Sequence, residues 1–128
     1  LFGGRQGTGV LSNRVFVLDA SVSPPAWSEP AVSGTPPSAR EGAGAALEQI
    51  SGRIFVFGGD TGTARENDLH VLDVNTWAWT APAAGGTAPS VREGATFAHD
   101  PGRLRQILFG GSADGDTGTL YRDVHSLE

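Results

Sequence analysis

Short apolar runs, each closed by turn residues, set the pattern of this chain. Ile54-Phe55-Val56-Phe57 is a continuous apolar run that stops at Gly58-Gly59, and Phe2-Gly3-Gly4 and Phe109-Gly110-Gly111 close in the same way. A run of this length and composition suits a strand buried on both faces. A second kind of segment, Leu69 to Val74, mixes apolar and polar positions and includes an aspartate, Asp73. Helical periodicity is absent at any useful length. In the middle of the chain the pattern predicts four strands, over 43–48, 53–57, 69–74 and 77–80, with turn residues Ser51-Gly52 between the first two.

The pattern repeats. Pro37-Ser38-Ala39-Arg40-Glu41-Gly42-Ala43 returns as Pro89-Ser90-Val91-Arg92-Glu93-Gly94-Ala95. Asn13-Arg14-Val15-Phe16-Val17-Leu18-Asp19 aligns with Asn67-Asp68-Leu69-His70-Val71-Leu72-Asp73, and a degraded copy runs from Asp123 to Glu128. With the three double glycines, these blocks agree on a period of roughly 52–55 residues, the signature of a repeat architecture.

These residues resemble the kelch repeat. The likeness rests on Val56-Phe57-Gly58-Gly59, on Asn67-Asp68-Leu69 leading to Val71-Leu72-Asp73, on Trp79 six residues later, and on Pro89 to Arg92. Trp27 follows Asp19 by eight residues, so that connection carries an insertion, and Glu128 stands where the other copies have Asp19 and Asp73. Many kelch repeats place a histidine after the arginine. This chain has Gly42-Ala43 and Gly94-Ala95 there. The resemblance implies an all-β fold, a segment of a kelch-type β-propeller built from four-stranded antiparallel blades. It divides the chain into a partial blade with its connector (1–40), a complete blade (41–92) and a second partial blade (93–128). Gly3, Gly4, Asp19, Arg40, Gly58, Gly59, Asp73, Trp79, Arg92, Gly110 and Gly111 are then structural repeat residues.

Composition narrows the function. Glycine and proline make up about a fifth of the 128 residues, against roughly an eighth in average usage, with no collagen-like period. There is no cysteine, hence no disulfide framework, thiolate metal site or cysteine nucleophile. All nine basic residues are arginine and the net charge is −5, a poor match to a phosphate-binding surface. No apolar run is long enough to cross a bilayer as a helix. No nucleic-acid or membrane partner is expected. Methionine is absent, so position 1 is read as internal to a longer chain, whose remaining blades are the first expected partners.

In an antiparallel meander the second-to-third and fourth-to-first connections share one end. Those connections, 59–66, 111–118, 21–38 and 81–90, are long here. At the other end, Asp100-Pro101-Gly102-Arg103 is a short turn. Long polar loops on a rigid scaffold commonly bind. Asp60, Arg65, Glu66, Asp114 and Asp116 are therefore the candidate partner-binding residues.

Other chemistry competes with this reading. Asp60-Thr61-Gly62-Thr63 and Asp116-Thr117-Gly118-Thr119 spell the aspartic-protease motif, yet Asp, Thr and Gly are all turn formers, and a protease needs two aspartates sharing a proton. Ala113-Asp114-Gly115-Asp116 lacks the spacing of a calcium loop. Glu66, Asp68 and His70 alternate along a strand as metal ligands could, but His70 aligns with the apolar Phe16. Arg40 and Arg92 read either as ties to carbonyls or carboxylates between blades, or as a rim for an acidic peptide. Trp27, Trp77 and Trp79 read as inter-blade packing. The copper oxidases of this fold use a tyrosine–cysteine crosslink, which Tyr121 without a cysteine cannot form here. The expectation is no enzyme, no catalytic residue, no metal and no cofactor.

The resemblance implies a protein-interaction module, first of all a scaffold segment in a larger cytoskeletal or axonemal assembly. Its alternatives are the substrate-recognition domain of a ubiquitin ligase adaptor and a regulatory kelch domain attached to a catalytic domain such as a phosphatase. The implied location is the cytoplasm, with cytoskeletal or ciliary attachment as the narrower expectation.

Overall fold

The computed structural model describes residues 1–115 and 118–128. Ten strands and no α-helix are found among them, and the strands form three sheets. In the first, β1 (Val17–Asp19) pairs antiparallel with β2 (Ala26–Ser28). The largest sheet has the order β3-β7-β6-β5-β4, from β3 (Ser33–Gly34), β4 (Gly44–Glu48), β5 (Arg53–Asp60), β6 (Arg65–Asp73) and β7 (Ala78–Thr80). The third has the order β10-β9-β8, from β8 (Thr96–Asp100), β9 (Arg105–Phe109) and β10 (Val124–Leu127). Consecutive strands from β4 to β7 and from β8 to β10 pair antiparallel, the meander of a propeller blade.

The middle strands differ from expectation in instructive ways. The double glycine does not end β5. The strand runs through it to Asp60, with a bulge where the register shifts between Phe57 and Gly59. Gly58 and Gly59 have φ of 63° and 103°, and a Cβ on Gly58 would lie 2.6 Å from the Arg92 carbonyl oxygen and 3.0 Å from that of Glu66. Only glycine both adopts this backbone and admits those carbonyls. The long loop expected over 59–66 is thus corrected to residues 61–64, because Asp60 pairs in register with Arg65.

The connector expected over 21–38 is not all loop either. It contains β2, whose Trp27 faces Leu18 just as Trp79 of β7 faces Leu72, so the insertion before Trp27 leaves the register unchanged. It also contains β3, which adds parallel to the outer edge of β7 through Ser33↔Ala78 and Gly34↔Trp79. β3 covers the polar edge that β7 would otherwise show to solvent.

The core lies between the first two repeat units. Val15 of the first unit joins Val56, Leu72 and Trp79 of the middle sheet, with Phe2 packed against them and its ring centroid 5.3 Å from that of Trp79. Each such side chain contributes roughly 1.5–3 kcal/mol on burial. Trp79 is 2% exposed between the first two units, whereas Trp27, in the first, partial unit, is 61% exposed within residues 1–128. Trp77 is half-buried, in the turn before β7 at φ 55°. Among the described residues no helix is long and apolar enough to cross a membrane.

Candidate functional site

Arg40 sits where two units meet. Its backbone reaches the first unit, donating to the Ser12 carbonyl at 3.0 Å and accepting from the Gly4 amide at 2.8 Å. Its guanidinium reaches the middle unit. Nη1 donates to the Gly58 carbonyl at 2.9 Å and to Asp68 Oδ1 at 2.5 Å, Nη2 to Asp68 Oδ2 and Ser38 Oγ, both at 2.9 Å, and Nε to the Ser38 carbonyl at 3.0 Å. All five guanidinium donors are thereby engaged, and the residue is 2% exposed.

Arg92 repeats the arrangement one unit later. Its backbone pairs with Glu66 and Gly59, and its guanidinium with the Gly110 and Ser90 carbonyls and both oxygens of Asp123, at 2.7 and 2.9 Å. It also stacks on Tyr121, 4.1 Å from the ring centroid. These contacts match the reading of the two arginines as ties between units; neither guanidinium is open to a peptide. Asn13 and Asn67 add a smaller repeated tie, donating to the Pro37 and Pro89 carbonyls.

The aspartates of these pairs carry depressed pKa values. Burial raises the Asp68 carboxyl, but the Arg40 hydrogen bonds and charge, with His70 assisting, outweigh it and hold it below the ordinary range. Hydrogen bonds from Arg92, then His125, hold Asp123 far below its ordinary value. His70 places Nε2 3.0 Å from Asp68 Oδ2 and Nδ1 3.1 Å from the Thr35 carbonyl. The ring thereby links the β3 segment to β6. The alternating set Glu66, Asp68 and His70 is thus divided, since Arg40 and His70 between them engage both oxygens of Asp68. No group of three His, Asp or Glu placed for a metal occurs among the described residues. Sequence reasoning passed over Asp68 and Asp123 as partners of the arginines. The signal was present in Asp-x-His, which occurs at Asp68–His70 and again at Asp123–His125.

At the end expected to bind, charged residues line successive units. Glu41 and Glu93 follow the two arginines, and each reaches back to an arginine of the preceding unit. Arg5 Nε lies 2.8 Å from Glu41 Oε1, and Arg65 Nη2 lies 2.8 Å from Glu93 Oε1 and 3.5 Å from Asp60 Oδ2. Asp60 is nearly buried and caps the 61–64 turn, accepting from the Gly62 amide at 2.6 Å. Glu66 is half-buried, and its carbonyl receives the Arg92 amide. Asp114 is exposed, next to Ser112, which bridges to Glu93 and Leu120. Asp116 lies outside the described residues. The structure therefore brings Asp60 and Arg65 together and leaves Asp114 open to solvent.

The repeated arginine–aspartate tie and the glycine bulge are features of one architecture, and comparison with known proteins names it. The whole chain, residues 1–128, matches the KLHDC2/KLHL20/DRC7 kelch-repeats domain. The chain belongs to the kelch-repeat family. It is 36% identical over 117 residues to dynein regulatory complex subunit 7 of Chlamydomonas reinhardtii, covering 90% of this chain and 10% of that protein. It is 35% identical over 118 residues to Kelch domain-containing protein 3 of Bos taurus, covering 89% of this chain and 29% of that protein. It is 38% identical over 82 residues to Rho GTPase-activating protein gacHH of Dictyostelium discoideum, covering 64% of this chain and 5% of that protein. The chain spans less than a third of the length of each of these relatives. As a kelch-repeat chain its sheets are propeller blades, and kelch domains are protein-binding modules.

Proposed function

We propose that this kelch segment is a non-catalytic scaffold in a larger assembly of the cytoplasm, and specifically in an axonemal one. The carrying observation is the charged end of the blades, where Arg5–Glu41 and Arg65–Glu93 bridge successive units beside the exposed 62–64 tip and Asp114. Polar groups held on a rigid sheet frame recognise a partner at little ordering cost. The axonemal direction comes from the relative named as a dynein regulatory complex subunit, which aligns over 90% of this chain. The test is co-sedimentation of the 128-residue chain with isolated axonemes, for the wild type and for Arg65→Glu combined with Asp114→Arg. The reading expects the wild type to bind and the variant to lose most of that binding. Equal sedimentation of the two, or none by either, rejects it.

A second reading is a regulatory kelch domain joined to a catalytic domain, favoured by the likeness to a Rho GTPase-activating protein. It expects the chain to change the GTP hydrolysis rate of a Rho-type GTPase when added to an isolated activating domain.

A further inference from the structure

A strap runs from the first unit to the outer edge of the middle one. Its two ends are pinned in the first unit, by the Arg14–Glu29 ion pair and by Asn13 donating to the Pro37 carbonyl. Its centre, β3, is held to the middle unit by few bonds. The Ser33 amide donates to the Trp77 carbonyl and the Thr35 amide to the Trp79 carbonyl, both at 3.0 Å. The Thr35 carbonyl lies 3.1 Å from His70 Nδ1, whose ring places Nε2 3.0 Å from Asp68 Oδ2. The fit against β7 is close, since a Cβ on Gly34 would lie 2.0 Å from the Trp79 carbonyl oxygen. Yet Ser33, Gly34, Thr35 and Pro36 are all exposed. An exposed edge strand held by so few hydrogen bonds opens at low free energy.

The strap departs from its repeat at one telling position. Gly34-Thr35-Pro36-Pro37 corresponds to Gly86-Thr87-Ala88-Pro89, and Gly86 keeps the left-handed backbone, with φ 78° against 81° at Gly34. The glycine, the threonine and the second proline recur, and that proline, Pro37, is fully buried. Pro36 does not recur and is exposed, so the repeat geometry does not call for it. What it supplies is a proline directly after an exposed hydroxyl. Proline has no N–H to leave unpaired in an apolar pocket, and it confines the residue before it to extended backbone. Both properties suit the cleft of a protein kinase that holds its acceptor in an extended segment with an apolar site beside it. Ser23-Pro24 is the other such pair in the chain, and it lies between β1 and β2, outside any strand.

We propose that Thr35 is a phosphorylation site for a proline-directed protein kinase, and that the phosphate releases the strap from β7. In the transfer Thr35 Oγ1 attacks the γ-phosphorus of ATP and the bond from that phosphorus to the β,γ-bridging oxygen breaks. ADP leaves, and the hydroxyl proton passes to a carboxylate of the kinase. The kinase cleft and the β7 edge compete for the same stretch of backbone, so transfer draws on the open strap, and the phosphate in turn favours the open form. The phosphate brings a charge of about −1.5 to −2 to a strap whose carbonyl is linked through His70 to the Asp68 carboxylate. Arg40 has no donor left for it, and both ring nitrogens of His70 are already engaged. Like charge therefore opposes reclosure. Release bares the Trp77 and Trp79 carbonyls on the edge of β7 and removes one tie between the first two units. None of the charged residues invoked for scaffold binding takes part, so the two readings stand or fall separately.

The test treats the 128-residue chain with a cyclin-dependent protein kinase and magnesium ATP, locates phosphate by peptide mass spectrometry, and follows amide exchange before and after. Phosphate is expected at Thr35 and is expected to be lost from that peptide in Thr35→Ala. Pro36→Ala is expected to slow transfer to Thr35 at least about tenfold. In the phosphorylated chain the Ser33 and Thr35 amides are expected to exchange at least about tenfold faster, while Val56 and Leu72 stay protected. Gly34→Ala drives a Cβ onto the Trp79 carbonyl, so it is expected to open the strap unaided and to speed transfer to Thr35 about fivefold or more. A threonine that is merely accessible would not respond to that change. Phosphate at Ser23 alone, equal transfer rates for Gly34→Ala and wild type, or unchanged exchange at Ser33 and Thr35 would each overturn the proposal. So would Val56 left unprotected in either form, which would assign the effect to unfolding of the sheet.

Discussion

Arg40 and Asp68 meet in a forked ion pair, Nη1 to Oδ1 at 2.5 Å and Nη2 to Oδ2 at 2.9 Å, with the arginine side chain 2% exposed and the aspartate 36%. The pair is asymmetric in what it risks. Asp68 can turn to water, but the carbonyls of Gly58 and Ser38 rely on donors that only an arginine at position 40 supplies in this geometry. Removing one partner of a buried, hydrogen-bonded pair costs roughly 3–5 kcal/mol, and the exposure of Asp68 puts this case at the low end.

Arg40→Ala is therefore expected to lower stability by about 3 kcal/mol, and Arg40→Lys to recover less than half of that, since a point charge cannot span the fork. Urea unfolding followed by tryptophan fluorescence measures both. The comparison is Arg14→Ala, whose ion pair with Glu29 is exposed on both sides and screened by solvent. Similar losses for Arg40→Ala and Arg14→Ala would contradict the tie.

Acid should weaken the same ties. The folded-state pKa of Asp68 and of Asp123 lies below the ordinary value. The unfolded chain therefore binds more protons in the window between, and stability falls as pH drops below the unfolded carboxylate value of about 4. The urea midpoint is expected to hold from neutral pH down to about 5 and then decline toward the lower folded-state pKa values. Asp123→Asn, which cannot titrate, should show a shallower decline than wild type. An identical pH profile for the variant would remove Asp123 from the account.

Gly58→Val is expected to cost about 3 kcal/mol, combining a strained left-handed backbone with a Cβ driven against two carbonyls. Gly85→Ala is the control, because a Cβ there meets nothing within 4 Å, and it should change stability by less than about 0.5 kcal/mol. Thermal unfolding of the two variants decides the matter. An unchanged midpoint for Gly58→Val would mean that the bulge relaxes without cost.

Much of the fold was legible because it is local. Phe57-Gly58-Gly59 and the apolar run from Ile54 are short-range features, whereas the cap by Asp73, which accepts from the Asn75 amide at 2.8 Å, lies in what reads as a strand over 69–74. The candidate site was less legible. Local composition places Asp60 and Arg65 in one long loop, whereas strand pairing joins them at the end of β5 and the start of β6. A pairing register depends on partners across the sheet, and local composition carries little of it.

The repeat period, the strand runs and the need for glycine at the double-glycine corners were written in the residues, since turn chemistry and backbone sterics act within a few positions. What the two conserved-in-form arginines hold was decided by the folded chain. Asp68 lies 28 residues from Arg40 and Asp123 lies 31 from Arg92, so only the stacking of one unit on the next brings these charges together. The same stacking buries Trp79, which packs against Val15 of the first unit and Val56 and Leu72 of its own. Burial belongs to the assembly of sheets, and an identical residue at an identical strand position is core or surface according to what packs upon it.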